Sequence, residues 1–407
     1  MEGFLLDAAT FLIRWLHVVA AIAWIGESFY FVALDRGLKP PKQPQPGMSG
    51  ESWSVHGGGF YHKQKYVPAP AQLPEELHWS KWKSYTTWLS GFVLLCSLYF
   101  AAPSVWLIDP SVAALTPTQA VLAALALLAG TWIAYDVICK LVGFRDGLLG
   151  VLVALLVLAL CHISTSLFAG RAAFLLTGAA LATVMSANVF FVIIPGQRRM
   201  VDALQRGETP NPLDGARGKQ RSVHNTYFTL PVVFAMLSTH YATAFAHPDR
   251  GWMLALFMLA AAAIRQFFVV WHSGRRDWWL LGLGGLVLVL ALAWMMPKTP
   301  PNPATSSSAN APAVQEETPP LPADIAAIHG ILHERCTEAC HSATPKLMPI
   351  APKGTMFDTN EQIEAQAALI YQQTIALKIM PPGNLTQMSD AERDAIARWF
   401  EQRGTTN

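Results

Sequence analysis

Residues 335–342 read RCTEACHS. Two thiols followed at once by an imidazole are the groups that attach a haem covalently and ligate its iron. The usual spacing is C-x-x-C-H, whereas three residues separate Cys336 from Cys340 here. On a helix, positions i+3 and i+4 share a face with i, so the longer pair can still present both thiols on one side. His341 is then the first axial ligand. A second is expected further on, and Met380 in KIMPPGN is the best placed, because a thioether raises the iron's potential and the Pro-Pro turn holds its sulfur still. Met348 stands close to His341 in sequence, and Met356 and Met388 lack a rigid flank. Two alternatives stay open: a disulfide or incidental pair, and a haem held by Cys340 alone with Cys336 free.

A second set of chemistry-bearing residues stands inside apolar runs, where ionisable groups are costly and become functional candidates by default. At 1.5 Å per residue, His17, His162 and His240 fall roughly 6–8 Å to one side of the centre of their segments. Two neutral imidazoles from facing helices can hold a haem b. The competing reading is histidines hydrogen-bonded between helices. His17 favours the ligand role, since Arg14 shares its face and can meet a propionate. Glu27, Asn188 and Arg265 form a group on the other side of the centre. They suit either a substrate pocket or, for Glu27 and Arg265, a structural ion pair. A third set lies in HGGGFYHKQKY, residues 56–66, where His56, His62 and Lys65 flank three glycines whose backbone could approach an anion. That long connection reads as functional or as a flexible loop with interfacial aromatics. His78, His224 and His272 fall near the ends of apolar segments, where a histidine is ordinary.

The elements that must position these groups follow from composition. Charged residues make up 14% of the 407 and the hydrophobic set 52%, low in charge for a soluble protein. The net charge of +2 gives no reason to expect a nucleic-acid partner. Eight apolar segments approach the roughly 20 residues that cross a bilayer: 7–34, 83–102, 118–139, 147–168, 172–195, 225–246, 251–272 and 278–297. Seventeen Lys and Arg residues fall in the connections on one side, and only Arg171 and Arg250 in those on the other. The positive-inside bias puts the first set in the cytoplasm and both termini outside it. Cys96, Cys139 and Cys161 lie singly in apolar runs and read as small buried hydrophobes.

Residues 298–322 are too polar and Pro-rich to pack and read as a linker. The tail beyond it is expected to hold helices over 323–334 and 360–379. A last helix starts at Ser389, with Glu392 three residues on as a capping box. The expected fold is all-α: an eight-helix transmembrane bundle over 1–297, the flexible linker 298–322, and a small helical cytochrome c domain over 323–407.

SWSVHGGGFYHKQKY, HWSKWKSYTTWLSGF and HNTYFTLPVVFAMLSTHY, followed by the terminal haem motif, resemble the bacterial membrane-bound urate oxidase (urate hydroxylase) family. The likeness covers essentially the whole chain and departs from it in the tail, where CTEACH is one residue longer than the family's usual haem site. It implies oxidation of urate to 5-hydroxyisourate, with electrons leaving through haem c to a soluble or membrane respiratory cytochrome rather than forming peroxide. It also implies a multi-pass protein of the bacterial inner membrane with its cytochrome domain in the periplasm. RWLHVVAAIAWIGESFYF resembles the first span of the membrane protoporphyrinogen oxidase family, in which the histidine matching His17 is tied to haem b. The competing functional class is a quinol–cytochrome c electron-transfer protein without urate chemistry.

Overall fold

Long apolar runs fold as helices because a helix satisfies its own backbone donors and acceptors wherever water is excluded. The computed structural model describes residues 2–296, 323–348, 351–352 and 355–403. Helix α1 spans Glu2–Gly37, and α2, Trp82–Leu94, runs on through a wide turn over Leu95–Phe100. Short α3, Pro103–Trp106, precedes α4, Pro117–Val142, and α5, Asp146–Leu167. Helix α6, Gly170–Ala187, continues through a π-helical segment, Asn188–Ile193, into α7, Ile194–Gln205. Helix α8 is Pro212–Ser238, α9 a single turn at Ala242–Phe245, α10 Arg250–Trp271 and α11 Trp278–Trp294.

Local chemistry sets several of these ends. Thr116 and Gln119 form a reciprocal capping box ahead of Pro117, with Gln119 N donating to Thr116 Oγ1 at 3.3 Å and Thr116 N to Gln119 Oε1 at 2.9 Å. Asn211 accepts from Leu213 N at 3.0 Å and starts α8 in the same way. Pro195 lacks the N–H that would close the next turn, and the ladder widens into the π segment just before it.

Helices run through the eight expected segments, but α8 stops at Ser238, short of the expected end at 246. Five, at Ala8–Gly37, Pro117–Val142, Asp146–Leu167, Gly170–Gln205 and Arg250–Trp271, are long and apolar enough to cross a membrane. Trp278–Trp294 is apolar but shorter. Helix α2 is 13 residues long before its ladder widens, and α8 carries a polar run through Arg221, Asn225, Thr226 and Thr229. Helices α1 and α2 pack together, α6 packs between α4 and α8, and α10 lies against α5, α8 and α11. The main core of this body gathers Tyr135, Phe174, Leu181, Met185, Phe228 and Met258.

The expectation of an all-α fold is corrected by a β-hairpin in the long connection. Strands β1, Met48–His56, and β2, Gly59–Tyr66, pair antiparallel with Trp53 opposite His62 and His56 opposite Gly59. Gly57 and Gly58 turn the chain with φ of +59° and +80°, the two positive values a tight hairpin turn demands and glycine supplies without strain. The three glycines therefore make a turn and do not form an open anion cradle. Lys39 N donates to Glu51 O, and Glu51 N to Lys39 O, both at 2.9 Å, which ties the end of α1 to β1.

The segment expected as a linker, 298–322, lies outside the described residues. In the tail, α12 is Ile325–Leu332, followed by a wide helical turn at His333–Thr337. The single helix expected over 360–379 is instead α13, Asn360–Ala365, and α14, Ala367–Tyr371, broken where Gln366 leaves helical geometry. Helix α15 is Asp390–Arg403, and its capping box forms as expected. Ser389 N donates to Glu392 Oε2 at 2.6 Å, and Glu392 N to Ser389 Oγ at 3.2 Å. Ile328, Leu332, Phe357, Ile363, Ile370, Ile396 and Trp399 make the tail's core.

A loop of the tail meets the helical body. Gly383 has φ +54°, and a Cβ there would stand 2.7 Å from Ile108 O and 3.1 Å from Asp109 Cα. Only glycine allows that approach in that conformation. Ile379, just before Met380, packs on the core of the body.

Candidate functional site

The tail sets Cys336, Cys340 and His341 together on one helical turn. Cys340 N and His341 N both donate to Cys336 O, at 3.1 and 3.0 Å, so the two cysteines lie one helical turn apart. Both are free thiols. Burial pushes the Cys336 thiol up to about 12 and raises Cys340 as well. His341 Nδ1 lies 2.9 Å from Thr355 O. A carbonyl only accepts, so Nδ1 carries the proton and Nε2 keeps its lone pair, the arrangement a metal-ligating histidine needs. Burial lowers the His341 pKa, partly offset by that same hydrogen bond, and a neutral imidazole is what iron binds. Phe357 packs on the ring at 4.8 Å between centroids.

Met380 is held by its backbone from both sides. Its N–H donates to Gln373 O at 3.1 Å, and its carbonyl accepts from Arg393 Nη1 at 3.0 Å. Arg393 also donates to Thr374 O. The rival Met388 is buried in the tail core, whereas Met348 and Met356 are half-buried like Met380. Two thiols on one helical face, an imidazole with a committed Nδ1 and a pinned methionine form a donor set that fits a covalently attached haem.

The residues proposed inside the apolar segments are distributed differently. Glu27 accepts from Lys83 Nζ at 2.8 Å, so the Glu27–Arg265 ion pair considered from sequence does not form. Arg265, 3% exposed, sits over the Phe29 ring at 4.0 Å from its centroid. Its Nε and Nη2 have no hydrogen-bond partner among the described residues. A buried guanidinium fork left open is costly and suits a bound anion.

Asn188 is fully buried at the start of the π segment, and it belongs to a chain that sequence reasoning did not assemble. Asn225 Nδ2 donates to Met185 O at 3.0 Å, and Asn188 Nδ2 donates to Asn225 Oδ1 at 2.9 Å and to Tyr135 Oη at 3.3 Å. Tyr135 Oη lies 2.7 Å from His224 Nδ1. Beside it Arg221 pairs with Asp136 at 2.7 Å and stacks on the Tyr135 ring. The signal that could have found this chain was the density of polar residues in HNTYFT within a helix.

His224 opens onto a cavity of about 1230 Å³ between α1, α5, α8 and α10. Asp35, Arg36, Asp146, Lys219 and Gln220 line the end nearer the hairpin, and Val157, Leu181, Phe228 and Met258 its apolar walls. Arg265 lies one turn beyond Ala262, another lining residue, on the same face of α10. Trp252, also lining it, meets His162 edge-on at 4.5 Å.

The hairpin's candidates are committed to structural contacts. His62 Nε2 lies 2.8 Å from Glu51 Oε2 and its ring stacks on Trp53 at 4.2 Å. Lys65 pairs with Asp35. His56 is exposed at the end of β1.

No hydrogen bond or ring contact among the described residues joins the three histidines expected in one layer. His17 Nδ1 lies 2.9 Å from Thr87 O, and a Cβ on Gly91 would come within 2.7 Å of its ring, so it is seated on α2. His162 is seated on α10, its Nε2 buried and without a partner among the described residues. His240 is exposed beyond the end of α8, which corrects its expected place inside a helix. Ser238 and Thr239 turn their hydroxyls onto Ala235 O and Met236 O and compete with the ladder there.

A family model described as urate oxidase N-terminal matches residues 3–296. The match spans well over half of the chain, and the chain belongs to that family. No curated protein and no solved structure matches the chain.

Proposed function

We infer, from membership of the urate oxidase N-terminal family, that this protein oxidises urate to 5-hydroxyisourate and passes the electrons to a haem held covalently in its own tail. The observation that carries the reading is the conjunction, in one chain, of that family match with a cysteine–histidine site whose His341 Nδ1 is already committed to Thr355 O. The urate monoanion loses two electrons and one proton, which leaves C5 electrophilic, and water adds there. Oxygen is not the acceptor, so no peroxide forms. Haem c, when bound through Cys340, Cys336 and His341, supplies a one-electron acceptor, with Met380 raising its potential.

The chain's own groups account for binding. Arg36 and Lys219 at the cavity rim are matched by Asp35 and Asp146, so the unpaired charge for a purine anion is the open fork of Arg265. The cavity exceeds the roughly 300–1,000 Å³ of ordinary ligand clefts, which leaves room for the reacting water. Glu27, His62 and Lys65, each held in an ion pair or hydrogen bond, order the surrounding frame, and His56 stands apart on the hairpin.

The five apolar helices and the one-sided distribution of basic residues support an eight-crossing protein of a bacterial inner membrane, with the hairpin cytoplasmic and the tail periplasmic. For a haem b in the bundle, His17 and His162 each offer one imidazole nitrogen that no described residue binds. A respiratory cytochrome is the onward acceptor. Urate added without oxygen to oxidised membranes carrying the full chain is expected to reduce the haem. Reduction by a quinol but not by urate replaces this reading with the electron-transfer class.

A further inference from the structure

The buried amide chain fixes more than packing. Met185 O is a backbone carbonyl and can only accept, so the atom of Asn225 facing it at 3.0 Å is its NH2 group. Asn225 Oδ1 is then the acceptor for Asn188, and the Asn188 NH2 group has its other proton left for Tyr135 Oη. Tyr135 is fully buried. Arg221 as well as Asn188 directs a donor at its oxygen, and of the two acceptors within reach of its hydroxyl proton, His224 Nδ1 at 2.7 Å and the Cys139 thiol, the imidazole nitrogen is much the stronger. His224 Nδ1 therefore accepts, and in the neutral ring the proton sits on Nε2. The sequence of bonds runs in one direction, from a main-chain carbonyl on α6 to an imidazole that lines the cavity.

We propose that His224 binds the substrate as a fixed Nε2–H donor to a carbonyl oxygen of the planar purine anion, with Tyr135, Asn188 and Asn225 as positioning residues that hold this tautomer. This rests on the urate reading and adds where the substrate docks and with what polarity. In that form His224 cannot take the urate proton through Nε2. It recognises oxygen, and it discriminates against purines lacking a carbonyl at the docked position because the donor would then be left unpaired. The π segment at Asn188–Ile193 has a place in this arrangement: it sets Asn188 at the α6 end of the chain of bonds.

The full-length protein in detergent, with its haem, tests this by two readouts: equilibrium binding of labelled urate and the 15N resonances of histidine. The His224 resonances, identified by their loss in His224→Leu, are expected to show Nε2 protonated and Nδ1 accepting a hydrogen bond, and Tyr135→Phe to remove the hydrogen-bond shift at Nδ1. His224→Leu is expected to weaken urate binding about tenfold, the scale of one charge-assisted hydrogen bond. His224→Gln, which restores an N–H donor, is expected to recover part of it. Tyr135→Phe should raise KM for urate with a smaller change in kcat. An Nδ1-protonated tautomer at His224, or urate affinity unchanged in both His224→Leu and Tyr135→Phe, overturns the proposal while wild-type urate oxidation stands. Wild-type protein that neither binds nor oxidises urate overturns the functional reading itself, and this proposal with it.

Discussion

In the tail, Cys336, Cys340 and His341 fall within one and a half helical turns, and only a second axial ligand has to come from elsewhere in the chain. In the helical body, the chain from Asn225 to His224 draws Tyr135 from α4, Asn188 from the end of α6 and two residues from α8. The first site is made mostly by local geometry, and the second exists only when three helices pack. The difference shows in how each would fail. A local site loses its ligand when one side chain is changed. A distributed site loses orientation when any buried partner is left unsatisfied, since such a group costs about 1–3 kcal/mol.

The largest effect should come from His341→Ala. It is expected to remove the iron's strong-field ligand, abolishing the low-spin haem spectrum and urate-dependent reduction, while labelled urate binds the body with unchanged affinity. Lost urate binding in this variant would break the separation of the two sites. Asn225→Leu tests the opposite side. It strands the Asn188 amide in a buried position and is expected to destabilise the body by about 2 kcal/mol, read as a lowered thermal midpoint, with the haem spectrum untouched.

Gly383→Val probes the contact between the regions. A side chain there meets Ile108 O and must also adopt φ +54°, a conformation that costs an L-residue roughly 1–2 kcal/mol. Haem reduction by urate is expected to slow several-fold with the methionine-to-iron absorption band retained. An unchanged rate would mean that the loop contact plays no part in electron passage. Cys336→Ala should leave haem attached through Cys340. Its cost is expected chiefly in stability, about 1–2 kcal/mol, because Cys336 lies in the tail core.

The smallest expected effect is a pH slope. In the haem-free protein, burial lowers the His341 pKa below that of the unfolded chain. The unfolded state therefore binds more protons as pH falls below about 6.5, and tail stability drops in that direction. Hydrogen exchange of tail amides at pH 7 and pH 5 reads it. With haem bound the imidazole is committed to iron and takes up no proton in the folded state, so the slope from His341 should extend to lower pH.

How much was legible follows the same division. The tail's cysteine–histidine group and the capping box at Ser389 were readable because each is a set of neighbours with a fixed local geometry. The helices through the apolar segments were readable from composition, though not the early end of α8. The hairpin was not anticipated, although HGGG holds the glycines its turn uses, because alternation along β1 is blurred by residues that face α1 and the connection. His240 was misplaced by two residues of helix, since hydroxyl competition at Ser238 and Thr239 ends α8 where hydropathy continues. His224 was set aside as a histidine at a helix end, whereas the fold turns it into a cavity.

The sequence alone determined where helices run, which connections carry positive charge, and that Cys336, Cys340 and His341 stand together, because these depend on side chains within a turn or two of each other. Tertiary structure alone decided that Glu27 meets Lys83 and not Arg265, that His17 is seated on α2 and His162 on α10, and that a backbone carbonyl of α6 dictates the tautomer of His224. Those outcomes depend on helix rotation and axial offset. A helical repeat of 3.6 residues leaves both open until neighbouring helices pack, and then one buried hydrogen bond aligns the next.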